Sequence, residues 1–330
     1  MKHHFGDFLD RTDDYWTSIP NRERYAYMAN FEIQNKEEIV ALTISKEHKH
    51  WKQVFECPNI EEIILHEPSH EQVDEIFKVK TLKRLRVTFY RAKNIDFIGK
   101  AENVEELILE YVSGFEDLSP LKKLKKLKSV HFENLRRVID FSGLAGITSL
   151  RYLYIDGTFD WKQPVENFEF LKELPNLEVL NIYGITNKTQ YPVFKSLINH
   201  KKLRKIKMAE NTFHTKDYAF LVEALPNVEG IYKDFKIVFD YNPIGYLSED
   251  DIRSKYTEEE LKIKCPGIRV LADGRREYGD LDSKYYLFVG KGAGRLKCNN
   301  PKVEQKLTEF QKQYDQYKLE AKELIKSYCS

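Results

Sequence analysis

The sequence predicts an α/β solenoid, a stack of strand-and-turn units whose strands pair into one parallel sheet over a continuous core. Three observations predict it. One short apolar pattern recurs nine times at a nearly constant step, its apolar residues alternate, and the segment ahead of a unit repeats every three residues.

Residues 1–38 precede the pattern and read as the N-terminal cap that an open stack needs, because its end otherwise exposes the core. Within them ERYAYMANFEI (23–33) alternates aromatics and reads as an antiparallel or edge strand beside the first unit. The pattern itself is apolar, two variable, apolar, one variable, apolar. It runs Ile39-Leu42-Ile44, Ile60-Ile63-Leu65, Leu82-Leu85-Val87, Val104-Leu107-Leu109 and Leu127-Val130-Phe132. It continues through Leu150-Leu153-Ile155, Leu177-Leu180-Ile182, Leu203-Ile206-Met208 and, more weakly, Val228-Ile231-Lys233. First positions are 21, 22, 22, 23, 23, 27, 26 and 25 residues apart. Alternation puts the two inner apolar residues on one face of a short strand. Ahead of the strands, Leu118, Leu121, Leu124 and Leu127 step by three, as do Leu171, Leu174 and Leu177, which suits a helical or 3-10 turn laid behind the sheet. From residue 156 the units lengthen, leaving room for fuller helices.

Residues 39–235 are therefore the repeats, and 236–330 the C-terminal α/β cap. Lys233 closes the pattern at a position that is apolar in the eight earlier units. A faint tenth unit is expected at Ile268–Leu271, after a helix with capping-box spacing at Ser248 and Asp251 or Thr257 and Glu260. KYYLFV (284–289) reads as a strand, and a Gly-rich turn leads to a long helix over 301–328. On that helix Val303, Leu307, Phe310, Tyr314, Tyr317, Ala321, Leu324 and Tyr328 make a heptad seam. Its three tyrosines and one Phe suit docking into an irregular surface better than pairing two chains, so a monomer is expected over a homodimer.

These repeats resemble the leucine-rich repeat family, whose strand signature is L-x-x-L-x-L. The short, roughly 22-residue kind is nearest, internalin-like or phosphatase-regulator-like. The resemblance implies a right-handed horseshoe with the sheet on its concave face, 3-10 or helical turns on its convex face, and caps at both ends. It also implies protein binding on the exposed sheet face. The family's Asn or Cys three residues after the last strand apolar is missing here. Those positions are Glu47, Pro68, Tyr90, Val112, Leu135, Thr158, Ile185, Asn211 and Lys236, so only Asn211 fits and packing is expected to hold the turns.

Composition excludes several function classes. The 330 residues carry 53 Lys+Arg against 52 Asp+Glu, a net charge of +1, which removes the electrostatic footprint of a general nucleic-acid binder. No apolar window approaches the length of a membrane span, and the opening MKHHFGDFLDRTDDYW lacks the apolar run of a signal peptide. Four widely spaced cysteines fit a reducing compartment, and a cytoplasmic protein is expected.

Three strings imitate chemistry. His66-Glu67-Pro68-Ser69-His70 matches H-E-x-x-H, but zinc binding needs both imidazoles on one helical face, and here His66 ends a strand and Pro68 breaks the helix. Gly290–Arg295 sits where a phosphate loop would, yet it lacks the dinucleotide and Walker spacings. Lys122, Lys123, Lys125, Lys126 and Lys128 fall on variable positions and read as a solvated face. Cys57, Cys265, Cys298 and Cys329 have no catalytic context, so neither an enzyme nor a cofactor is expected.

The outward strand positions form a grid of residues, rows roughly 5 Å apart. Its candidates for contact with a protein or peptide are Arg84, Arg86, Glu106, Ile108, His131, Tyr152, Tyr154, Asp156, Asn181, Tyr183, Lys205 and Lys207. Tyr and Arg anchor interfaces because they bury large areas with few lost rotamers. The expectation is a non-enzymatic protein-binding module. Two alternatives stand beside it: a nucleotide- or phospholigand-dependent regulator using residues 236–330, and a structural dimer formed through the last helix.

Overall fold

The computed structural model describes residues 2–3, 7–12, 15–20, 26–239, 257, 259, 268–270, 276–278 and 284–329. The chain divides into two compact units, Met1–Ala209 with Asn227–Gly230, and Glu210–Pro226 with Ile231–Ser330.

The first unit begins with strands β1 (Lys2–His3), β2 (Asp7–Thr12), β3 (Tyr15–Pro20) and β4 (Ala26–Met28). The repeats follow as β5 (Ala41–Ser45), β6 (Glu62–His66), helix α1 (His70–Glu75), β7 (Arg84–Thr88), β8 (Glu106–Glu110), β9 (Ser129–Glu133) and β10 (Tyr152–Asp156). The unit ends with β11 (Gln163–Val165), β12 (Val179–Tyr183), β13 (Ile185–Asn187) and β14 (Lys205–Met208). Among the described residues one ten-stranded sheet runs β1-β4-β5-β6-β7-β8-β9-β10-β12-β14. Every pairing in it is parallel except β1 with β4. The aromatic segment at 23–33 thus supplies β4, which lies inside the sheet, parallel to β5. The ninth repeat contributes only a single bridge, Lys205 to Glu229.

Register stacks the inner apolar residues directly. Leu85, Leu107, Val130, Leu153, Leu180 and Ile206 are consecutive neighbours across β7 to β14 and all are buried. The three-residue step behind the sheet becomes 3-10 turns at Asp96–Lys100, Ser119–Lys123, Ser142–Leu144, Glu169–Glu173 and Lys195–Leu197. Leu118, Leu121, Leu124 and Leu127 are buried together, while the lysines between them stay in solvent.

The two longer units after β10 and β12 differ from expectation. Their extra residues make no fuller helix after β10 or β12. They form β11 and β13, a separate parallel pair. Pro164 favours extended backbone in the residue before it, and Val165, Ile185 and Thr186 are β-branched, so strand is the cheaper state. Gly157 permits the approach of this layer: a Cβ there would lie 2.0 Å from the Gly184 carbonyl oxygen.

Packing does not hold the turns alone. Tyr90, Val112, Leu135 and Ile185 are buried, as expected, but three buried glutamines also tie neighbouring turns together. Gln53 accepts from Ile33 N–H at 2.7 Å and donates to the Phe31 and His50 carbonyls. Gln72 donates to the Ser45 carbonyl at 2.8 Å and completes a capping box with Ser69 at the start of α1. Gln163 accepts from Leu135 N–H at 3.0 Å and donates to the Val138 carbonyl at 2.7 Å. Asn211, the one residue matching the family's position, is exposed.

The second unit contains helix α2 (Thr215–Ala224), β15 (Phe235–Phe239), β16 (Ile268–Val270), β17 (Arg276–Tyr278), β18 (Lys284–Phe288), β19 (Arg295–Lys297) and helix α3 (Val303–Cys329). The order β15-β18-β19 is antiparallel throughout. β16 and β17 are an antiparallel pair, so Ile268–Val270 is a hairpin strand and not a tenth parallel repeat. The capping-box helix expected around 248–260 lies outside the described residues, apart from Thr257 and Glu259. Part of the α3 seam is engaged within this unit, while Tyr328 at its end stays exposed. α3 packs on α2, the Phe310 ring lies 4.6 Å from that of Phe288 of β18 at a 43° tilt, and Tyr314 and Ala321 are buried.

Candidate docking surface

Strand pairing assembles the outward residues as the alternation requires. Arg86, Ile108, His131, Tyr154, Asn181 and Lys207 stand side by side from β7 to β14. Arg84, Glu106, Ser129, Tyr152, Val179 and Lys205 form the row on one flank. Thr88, Glu110, Glu133, Asp156 and Tyr183 form the row on the other.

Exposure is where expectation fails. Tyr152 is 0% exposed and Tyr154 3%, and Arg86, Glu106, Ile108 and His131 are buried as well. Arg84, Asp156, Asn181, Lys205 and Lys207 are half-buried, and only Tyr183 of the twelve candidates is exposed. Part of the reason is on the face itself. Rows under about 5 Å apart let long side chains shield one another, and Ile108, Tyr152, Tyr154 and Val179 form a second apolar cluster there. Charges close over the rest. Arg86 grips both oxygens of Glu110, donating from Nε to Oε2 at 2.9 Å and from Nη2 to Oε1 at 2.9 Å in a fork geometry. Arg84 pairs with Glu62 at 2.8 Å, and His131 Nε2 lies 2.9 Å from Asp156 Oδ2.

This network is rich in carboxylates. Burial works against a charged His131, but the hydrogen bond to Asp156 and the charges of Asp156, Glu110 and Glu133 outweigh it and raise its pKa. Burial first, then Glu110 and Asp156, push the Glu133 carboxyl above its usual range against the pull of His131 and Arg86. Among the described residues Glu133 makes no ion pair of its own.

A feature missed in the sequence borders this face. The residue after each of β6, β7, β8 and β9 turns into the left-handed region: Glu67 at φ 44°, Phe89 at 53°, Tyr111 at 53° and Asn134 at 55°, with Gly184 at 56° after β12. The turn is structural. Its N–H donates to the carbonyl ending the next strand, from Glu67 to Thr88, Phe89 to Glu110, Tyr111 to Glu133 and Asn134 to Asp156. Glycine and asparagine suit this backbone, whereas aromatic residues rarely adopt it. Phe89 and Tyr111 are 51% and 37% exposed and stack with ring centroids 4.7 Å apart at 16°. His66 meets Phe89 edge-on at 5.5 Å. The signal was present in the sequence: Glu67, Phe89, Tyr111, Asn134, Gly157 and Gly184 each stand two residues after the last strand apolar.

The strings resembling chemistry have other uses. His66 ends β6 and contacts Thr88 Oγ1 at 2.8 Å, while His70 opens α1 and contacts the Tyr90 hydroxyl at 2.6 Å, so they share no helical face. The Gly290–Arg295 turn joins two antiparallel strands, β18 and β19, instead of leading into a helix. The Gly290 and Lys291 N–H groups, which a phosphate loop would aim at its anion, donate to the Glu210 and Phe213 carbonyls. In the lysine run, Lys126 and Lys128 contact Asn103 and Glu105.

The strand register, the 3-10 turns and the buried apolar ladder decide the architecture. The fold is a leucine-rich repeat solenoid. No family model matches the chain, and no curated protein does. Among solved structures, internalin C2 of Listeria monocytogenes is 18% identical over 52% of this chain and 72% of its own, with a TM-score of 0.40. Another internalin of that bacterium is 20% identical over 53% of this chain and 61% of its own, at 0.37. A chain of the Toll–Spatzle complex of Drosophila is 13% identical over 54% of this chain and 24% of its own, at 0.39. This chain thus spans less than two thirds of the last two. Among its described residues no helix is long and apolar enough to cross a membrane.

Proposed function

We propose that this chain is a non-enzymatic protein-binding module whose contact surface is the sheet face and the turn margin beside it. One observation carries the reading: the chain leaves large aromatics, Phe89, Tyr111 and Tyr183, in solvent along the ends of the strands, next to a charged face. Such residues anchor interfaces, and stacked repeats present their sheet side for contact. Of the residues predicted from sequence, Tyr183, Asn181, Asp156, Arg84, Lys205 and Lys207 are the reachable ones. Arg86, Glu106, Ile108, Tyr152 and Tyr154 are buried beneath that surface, and buried His131 holds Asp156 through its Nε2. The partner is a folded protein or a peptide, neither nucleic acid nor membrane. The module acts as a monomer in this reading, because α3 packs on α2 and on Phe288 of β18, and Tyr314 and Ala321 of its seam are buried. A reducing cytoplasm suits its free Cys57 and Cys298.

The test is capture of a partner from native extract, identification by mass spectrometry, and titration of the purified pair. The triple variant Tyr183→Ser, Lys205→Glu, Lys207→Glu should lose binding with its melting temperature unchanged. A well-folded triple variant that binds like the wild type would move the site off this surface.

A further inference from the structure

We infer that the stacked Phe89 and Tyr111 rings receive an arginine side chain presented by the protein partner, an inference that rests on the protein-binding reading above. The fold does not ask for aromatics there. At the equivalent turns it uses Asn134 and Gly184, residues suited to a left-handed backbone, whereas Phe89 and Tyr111 adopt it at a cost. Neither ring is buried in the core: Phe89 is about half exposed and Tyr111 more than a third. Stacked on each other, the two rings form one partly exposed aromatic block, with His66 roughly perpendicular to Phe89 beside it.

Charge identifies the occupant. The backbone carbonyls of Glu110 and Glu133 accept the Phe89 and Tyr111 N–H bonds, so both acidic residues end the strands beside the pair. Glu110 is already held by Arg86, which leaves Glu133 as the carboxylate with no ion pair of its own among the described residues. Their field reaches the ring: burial, Glu133, Glu110 and Asp160 raise the Tyr111 phenol's pKa against a hydrogen bond with Asn134. At either end of this ladder a cation of the chain itself is in attendance. Lys46 lies 3.7 Å from Glu67, and Arg136 Nε donates to Asn134 at 3.4 Å. In the middle, among the described residues, no cation lies over Phe89 or Tyr111. An electron-rich ring face beside carboxylates attracts a cation. Arginine fits better than lysine, because its planar guanidinium stacks on a ring while its fork reaches a carboxylate such as Glu133. The chain makes the same kind of contact internally, with Arg151 over Tyr152 at 5.4 Å and Arg295 over Tyr285 at 4.7 Å.

The probe is a short labelled peptide alternating Gly and Arg, titrated into the full chain at low ionic strength, beside its citrulline twin of equal shape and no charge. The Phe89→Gly, Tyr111→Gly double variant suits the backbone and keeps the fold, which its melting curve verifies. Expected is a loss of about tenfold or more on replacing Arg by citrulline, and a similar loss in the double variant. Glu133→Gln should weaken the Arg peptide while leaving the citrulline peptide unchanged. Equal binding of both peptides, no binding of the Arg peptide, or full binding by the double variant would each overturn the inference. A partner captured from extract that still binds the double variant would overturn it too, yet leave the protein-binding reading standing. Loss of that partner only in the Tyr183, Lys205 and Lys207 variant would show the same separation.

Discussion

His131 sits under the sheet face with a carboxylate on several sides, and its protonation state is a property of that crowd. Asp156 holds its Nε2, Glu110 is shared with Arg86, and Glu133 contributes charge from the adjoining row. Its folded pKa lies above the ordinary 6.5, so protonated His131 contributes stability that is complete below that value and is lost as pH rises through the folded pKa. Melting temperature should therefore fall as pH is raised above 6.5, and His131→Gln should flatten that part of the profile. A variant with the wild-type slope would assign the titration to another group. The same burial changes the meaning of mutations at Tyr152 and Tyr154. Truncating either removes a fully packed aromatic, at a cost of about 3–5 kcal/mol, so their loss reports on folding before it reports on a partner.

At the scale of elements, Gln163 shows how turns are joined without the family's asparagine. Its amide satisfies the Leu135 N–H and the Val138 carbonyl, both belonging to the previous repeat. Gln163→Leu keeps most of the volume but leaves two buried backbone groups unmatched, at about 1–3 kcal/mol each. Urea denaturation should show a loss of about 2–6 kcal/mol, and a change within error would mean that packing alone holds this turn. These ties also mark what was legible in the sequence. Strands were, because a period of two at a step of 21 to 27 residues has few other readings. Gln53, Gln72 and Gln163 were not, because they occupy no common position in the repeat. β11 and β13 were missed because added length permits either helix or strand, and Pro164 decides locally. The outward rows were assigned to the correct face, yet alternation states direction and says nothing of what covers a side chain. Tyr154 was therefore placed rightly and judged exposed wrongly. The Phe89 and Tyr111 positions were visible as a 22-residue echo, and Asn134 with Gly184 at the same step was the clue to their backbone.

For the repeat unit as a whole, the consequence of a parallel stack is that a break in the middle creates two bare ends. Leu153 of β10 lies between Val130 and Leu180 in the apolar ladder and is fully buried. Leu153→Asp buries an unpaired carboxylate there, which hydrocarbon surroundings cannot solvate. Stability in such arrays is a sum of unit and neighbour terms, and domains hold only about 5–15 kcal/mol in all. Losing β10 removes its contacts to both sides and leaves β9 and β12 with uncovered apolar faces. The whole unit should then unfold, far from the substitution as well as near it. The three tryptophans, Trp16, Trp51 and Trp161, all belong to this unit, and Trp51 is buried in the turn after β5. In a Trp16→Phe, Trp161→Phe background, emission from Trp51 reads the β5 end of the sheet alone. Leu153→Asp should shift that emission to the red in the absence of denaturant, whereas Leu153→Val should leave it native. If Trp51 stays native in the Asp variant, the repeats before β10 fold without those after it, and the stack is held together by local terms that need no far end.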